Sequence, residues 1–108
     1  MARIIALIPD LLFGSRVLAE LSAAGHEVQL VSALEPDAPG EVLIVDLTAD
    51  ARERIESVRD TAIPKKLAFY AHVESDVRLL AHEHGFDVVV PRSRMARDAS
   101  ALVEQLLR

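Results

Sequence analysis

The run Glu41-Val42-Leu43-Ile44-Val45-Asp46-Leu47-Thr48 restricts the fold more than any other stretch of this chain. Its apolar residues occupy both alternating positions, and a carboxylate appears near its end. The half-wet strand of an antiparallel sheet would alternate between apolar and polar. A strand apolar on both sides belongs in the middle of a parallel sheet covered by helices on both faces. Asp46 is then expected at the carboxyl end of that strand, the edge where ligands and chemistry gather in open parallel sheets.

The rest of the chain supplies the neighbours such a strand needs. Arg3 to Ile8 reads as a first buried strand ended by Pro9, which cannot donate to a ladder. Leu11 to Ala24 reads as a helix with Phe13, Val17, Leu18, Leu21 and Ala24 on one stripe and Gly25 at its close. Either Asp10 caps this helix, or Gly14-Ser15 breaks the first turn and Ser15 caps a shorter one. Glu27 to Ala33 alternates, as an edge strand with one partly wet face does.

The segment Leu34-Glu35-Pro36-Asp37-Ala38-Pro39-Gly40 is too rich in proline to hold a useful helix. Parallel strands normally need a longer, helical crossover, so one covering helix is expected to be missing and some apolar sheet surface bare. Asp50 and Glu53 have the spacing of a capping box before a helix running to about Pro64, with Ala51, Ile55, Val58 and Ala62 inward and its charged residues, Arg54 among them, in solvent. Lys66 to Val73 is the fourth strand. A helix opened by Glu74 or Ser75 ends at Gly85, Phe86 to Val90 is the fifth strand, and Ala99, Leu102, Val103 and Leu106 mark a last helix capped by Ser93 or Asp98. Strand and helix alternation with right-handed crossovers gives a single three-layer α/β domain over residues 1–108, flavodoxin-like, with a five-stranded parallel sheet in the order 2-1-3-4-5.

Composition removes several functions. The chain has 108 residues, enough for one core, and no Cys, which excludes thiol chemistry and cysteine zinc sites. The apolar start is interrupted by Pro9 and Asp10 and reads neither as a leader peptide nor as a membrane span, so a cytoplasmic protein that does not engage membranes is expected. A net charge of −5 argues against nucleic-acid binding. No phosphate-cradling glycine loop is present. His82 and His84 stand two apart and so point to different sides of a helix, which makes them a solvent-exposed helix end rather than a metal pair. His26 sits in a turn and receives no role.

The predicted sheet order brings Asp10, Ser15, Arg16, Asp46, Thr48, His72, Arg92 and Arg94 to one edge. Ser15, Arg16, Arg92 and Arg94 near a helix start are candidates for binding an anion. The plainer alternative pairs Arg92 with Asp46 or Asp10, because buried carboxylates are seldom left alone. Asp46 is open to three roles, as a phospho-acceptor, a metal ligand or a cap on the turn that follows it.

Over its whole length the chain resembles a response-regulator receiver domain. The residues that carry the resemblance are the Val42–Thr48 strand with Asp46 at the phospho-acceptor position, the Ala24-Gly25-His26-Glu27-Val28 turn, the Tyr70-Ala71-His72 end of the fourth strand, and Gly85-Phe86-Asp87 leading to Pro91-Arg92-Ser93. The departures matter as much. Pro9-Asp10 stands where the family has an acidic pair that holds Mg²⁺, so Asp10 and Asp46 are left as weak Mg²⁺ ligands. Tyr70 or Ala71 stands at the switch hydroxyl, and Arg92 replaces a lysine. The resemblance therefore implies a degenerate, stand-alone receiver-like module without an activity of its own, which binds a protein partner such as a histidine kinase or an output protein. Its expected interfaces are the sheet face left bare by Leu34–Gly40 and the last two helices, and a homodimer would cover such a patch. The alternatives are a working phospho-receiver that uses Asp46 with Mg²⁺ and a small anion- or nucleotide-binding protein.

Overall fold

The computed structural model describes residues 1–71 and 75–108. Its elements are β1 (Arg3–Leu7), α1 (Leu11–Ala23), β2 (Glu27–Val31), β3 (Val42–Asp46), α2 (Ala51–Ser57), β4 (Lys65–Tyr70), α3 (Ser75–Glu83), β5 (Val88–Pro91) and α4 (Arg92–Leu107). All strand pairs are parallel, and the order is β2-β1-β3-β4-β5. Every residue of β3 is buried, as its two-sided apolar pattern requires. No residue of β2 is, so β2 is the wet margin of the sheet.

The pleat sends alternate residues of each strand to opposite faces. One face, with Ile4, Ala6, Ile44 and Phe69, packs against Phe13, Val17 and Leu21 of α1 and Met95, Leu102 and Val103 of α4. The other, with Ile5, Leu7, Leu43 and Val45, packs against Ile55 of α2 and Val77 and Ala81 of α3. Among the described residues no helix is long and apolar enough to cross a membrane.

The start of α1 is decided by Asp10, whose carboxylate accepts from the N–H groups of Leu12 and Phe13, each at 3.1 Å. Ser15 lies inside the helix. At the far end Gly25 takes φ 94°, and His26 N–H reaches the Leu21 carbonyl at 3.1 Å, a left-handed helix stop that a side chain would strain. Gly85 ends α3 the same way at φ 86°.

Four local expectations are corrected. Asp50 precedes α2 in the left-handed region (φ 50°, ψ 40°) and makes no side-chain cap, so the Asp50/Glu53 capping box does not form. Helix α2 stops at Ser57, well short of Pro64: Val58 and Arg59 N–H reach only three residues back, to the Ile55 and Glu56 carbonyls (3.3 and 3.2 Å), Ala62 N–H turns to the Pro36 carbonyl (3.3 Å), and Ile63 rather than Ala62 enters the core. The last helix begins at Arg92, with neither Ser93 nor Asp98 as its cap, and Asp98 instead marks a kink (φ −126°, ψ 27°). The helix turn after that kink is capped from outside, since Ser100 N–H donates to Glu20 Oε2 of α1 at 2.8 Å.

The crossover between β2 and β3 has no helix, as the prolines demand. The sheet beneath it is less bare than expected. Leu34 packs onto the core, and Gly40 lies so close over Ile5 that a β-carbon there would come within 3.2 Å of Ile5 Cγ1. Ile5 is buried in consequence. What remains is an open groove of about 460 Å³ along Gln29, Val31, Leu34 and Pro39.

Candidate functional site

The carboxyl edge of the sheet is built by β1, β3 and β5 ending in the same direction. Asp46 is the last residue of β3, only 4 % exposed. Its Oδ1 accepts from Thr48 N–H at 2.8 Å and from the Thr48 hydroxyl, the side-chain turn that Asp favours where a strand gives way to a loop.

Arg54 completes this enclosure. Its Nη1 lies 3.7 Å from Asp46 Oδ1 and donates to the Asp46 backbone carbonyl at 2.7 Å. Its Nη2 stands 4.0 Å from Asp50 Oδ2. The left-handed turn at Asp50 therefore serves to fold α2 back over the strand end, and Arg54, expected in solvent, is largely buried by it. A charge-assisted contact in so sheltered a place is stronger than one on the surface. The sequence carried a faint signal for it: Asp50 and Arg54 are four apart on one helix face, which places the guanidinium over the loop that Asp46 begins.

Asp10 is occupied differently. Besides capping α1 through Oδ1, it turns Oδ2 toward Arg92 Nη2 at 3.6 Å. The Arg92 guanidinium also lies over the Phe13 ring, 4.2 Å from its centroid, and Phe13 packs on Phe69 with centroids 5.0 Å apart. Arg92 thus pairs with Asp10, and Asp46 takes Arg54. Arg94 faces Asp98 at 3.6 Å. Ser15 and Arg16 are exposed on α1. Tyr70 is buried at the end of β4 and Ala71 follows it, half-buried. His72 lies outside the described residues.

Mg²⁺ is usually held by one or two carboxylates, with water completing its shell. Here each of the two carboxylates already has one oxygen turned to N–H or O–H donors, and each has a guanidinium beside it. Among the described residues no group of three His, Cys, Asp or Glu side chains is placed to hold a metal. Each carboxylate therefore already has a guanidinium beside it where Mg²⁺ was expected to supply the positive charge.

His26 has a structural position that its sequence did not announce. It is buried, and its Nδ1 accepts from Ala2 N–H at 3.1 Å, tying the start of β1 to the turn after α1. Because Nδ1 accepts, the proton of the neutral ring belongs on Nε2, which is buried and has no partner among the described residues.

No family model and no curated sequence matches the chain. Solved structures do. The non-phosphorylated HemR receiver domain from Leptospira biflexa superposes with a TM-score of 0.73 at 17 % identity, covering 99 % of this chain and 94 % of that one. This chain has the receiver-domain fold. A response regulator from Thermotoga maritima gives a TM-score of 0.74 at 15 % identity, with 97 % and 96 % of the two chains covered. The ChxR receiver domain from Chlamydia trachomatis gives 0.69 at 8 % identity over 100 % of both. The receiver fold is thus reproduced from end to end at very low identity, and in this chain a loop without a helix joins β2 to β3.

Proposed function

We propose that this chain is a receiver-type signalling module that acts by contacting another protein, without catalysis of its own and without efficient phosphorylation of Asp46. The observation that carries the reading is the enclosure of Asp46 by Thr48 and Arg54. A carboxylate that attacks a phosphoryl group needs that group positioned in front of it and metal ions to neutralise the developing charge. At this edge the neutralising charges are already guanidinium groups, and they oppose a second cation.

A protein partner is supported by the surface beside the same edge. Leu11 and Leu12, 76 % and 83 % exposed, stand on the first turn of α1 next to the Asp10–Arg92 pair. Large apolar side chains held together in water at one place usually mark a docking surface. The anion-binding alternative has less support, since Arg92 and Arg94 each already face a carboxylate.

The test is incubation with a small acyl-phosphate donor and Mg²⁺ followed by intact mass measurement. No added mass is expected. A phosphoryl adduct that disappears in Asp46→Asn would overturn the reading and establish the phospho-acceptor alternative.

A further inference from the structure

The two lateral margins of the sheet are finished differently. On one side β5 has two buried central residues and ends in Pro91, which has no N–H to offer. On the other, β2 presents Glu27-Val28-Gln29-Leu30-Val31 with no Pro, no Lys and no bulge, the devices that usually blunt an edge strand. The missing crossover helix leaves an open groove beside Gln29 and Val31.

The backbone of β2 is orientated to accept another strand. Glu27 N–H donates to the Ala2 carbonyl at 2.9 Å, so in this parallel pair the odd-numbered residues turn their N–H and C=O toward β1. The N–H and C=O of Val28 and Leu30 therefore turn outward, where no strand follows among the described residues.

We infer that β2 is a self-pairing edge, and that a second copy of this chain adds its own β2 antiparallel to it about a two-fold axis through Gln29. In that register Val28 stands opposite Leu30 of the other copy, and both have outward-facing backbone groups. They form the hydrogen-bonded pair of an antiparallel ladder, twice by symmetry. Both side chains lie on the α1/α4 face, already packed against the core there, so the two apolar margins become continuous. Gln29 meets Gln29, and Glu27 meets Val31. Neither pairing opposes like charges, and Glu27 keeps Arg3 at 3.4 Å. A shift that placed the axis at Glu27 would set carboxylate against carboxylate. The occupant that best fits this strand is therefore itself, in an isologous contact that closes as a dimer. The pairing does not depend on whether Asp46 takes a phosphoryl group.

Light scattering and sedimentation of the whole chain over a wide concentration range test this. The wild type is expected to pass from monomer to dimer. Gln29→Lys sets like charges together on the two-fold axis and weakens the dimer about threefold to fivefold. Mixing it with Gln29→Glu restores association as a mixed dimer. Val28→Pro deletes one outward donor per copy and leaves the ladder to β1 intact, weakening the dimer about thirtyfold. Circular dichroism shows whether that variant folds, and if it does not, the Gln29 pair decides alone. A wild type that stays monomeric throughout, its edge left for another protein's strand, would overturn the inference. So would a dimer indifferent to both Gln29 substitutions and their mixture.

Discussion

The two faces of the sheet are covered to very different degrees. Helices α1 and α4, of 13 and 16 residues, lie over one face, pack against each other, and share a capping bond between Glu20 and Ser100. The other face has α2 and α3, of 7 and 9 residues, and a helix-free loop over its β2 side. Long helices with a continuous apolar stripe can bury it against the sheet in one register. Short ones depend on single contacts, such as Arg54 reaching back to Asp46. The first face is built to hold the fold, and the second is where local electrostatics has been rearranged.

The largest expected effect tests that division directly. Leu102→Ala, on α4 with 1 % exposure, should destabilise by about 3 kcal/mol, within the usual range for a buried leucine. Val58→Ala on the other face should lose roughly 1–2 kcal/mol, because fewer methyl groups leave and the short helix end can settle into the space. Denaturant unfolding of both variants checks this. Equal losses would break the comparison.

Next in size is Arg54→Met, which keeps most of the aliphatic stem and removes the charge. Among the described residues Asp46 then keeps only Thr48, and a loss of roughly 2 kcal/mol is expected from removing the ion pair with a sheltered carboxylate and the charged hydrogen bond to its backbone carbonyl. Asp46→Asn/Arg54→Met together should lose less than Arg54→Met alone, since no uncompensated charge remains. If the double variant is the less stable one, Arg54 is not the counter-ion of Asp46.

The smallest effects set two aspartates against each other, one at the start of a helix on each face. Asp10→Ala removes a cap that receives two N–H groups and should cost about 1 kcal/mol. Asp50→Gly should change stability in the other direction, by about 0.5 kcal/mol, because glycine adopts the left-handed conformation at φ 50° without strain. Thermal unfolding of the pair measures both signs. A loss on Asp50→Gly would mean that the distant Arg54 contact outweighs the backbone.

Much of the fold could be read along the chain because each element carries its own periodicity. The two-sided apolar run of β3, the stripe of α1 and the glycines after α1 and α3 are local patterns, and they require no knowledge of neighbours. The helix starts were less legible. Asp50 has the spacing of a capping residue and Asp10 only its type, yet the cap forms at Asp10. Cap formation depends on backbone angles that the surrounding packing imposes. The carboxyl edge was legible as a gathering place, and Arg92 did find one of its two expected carboxylates. Arg54 was hidden among the charges of α2, where its four-residue spacing from Asp50 is the one faint mark that sets it apart from its neighbours.

By itself the sequence determined the class of the protein: a parallel sheet, alternating helices, one helix absent where prolines forbid it, and an aspartate at the end of the central strand. Short-range sterics and apolar periodicity suffice for that. Tertiary structure alone decided which cation each carboxylate keeps, that Glu20 caps a helix eighty residues away, and that β2 turns the backbone of Val28 and Leu30 outward. Those outcomes depend on distances between segments far apart in the chain, which are fixed only once the whole core has closed.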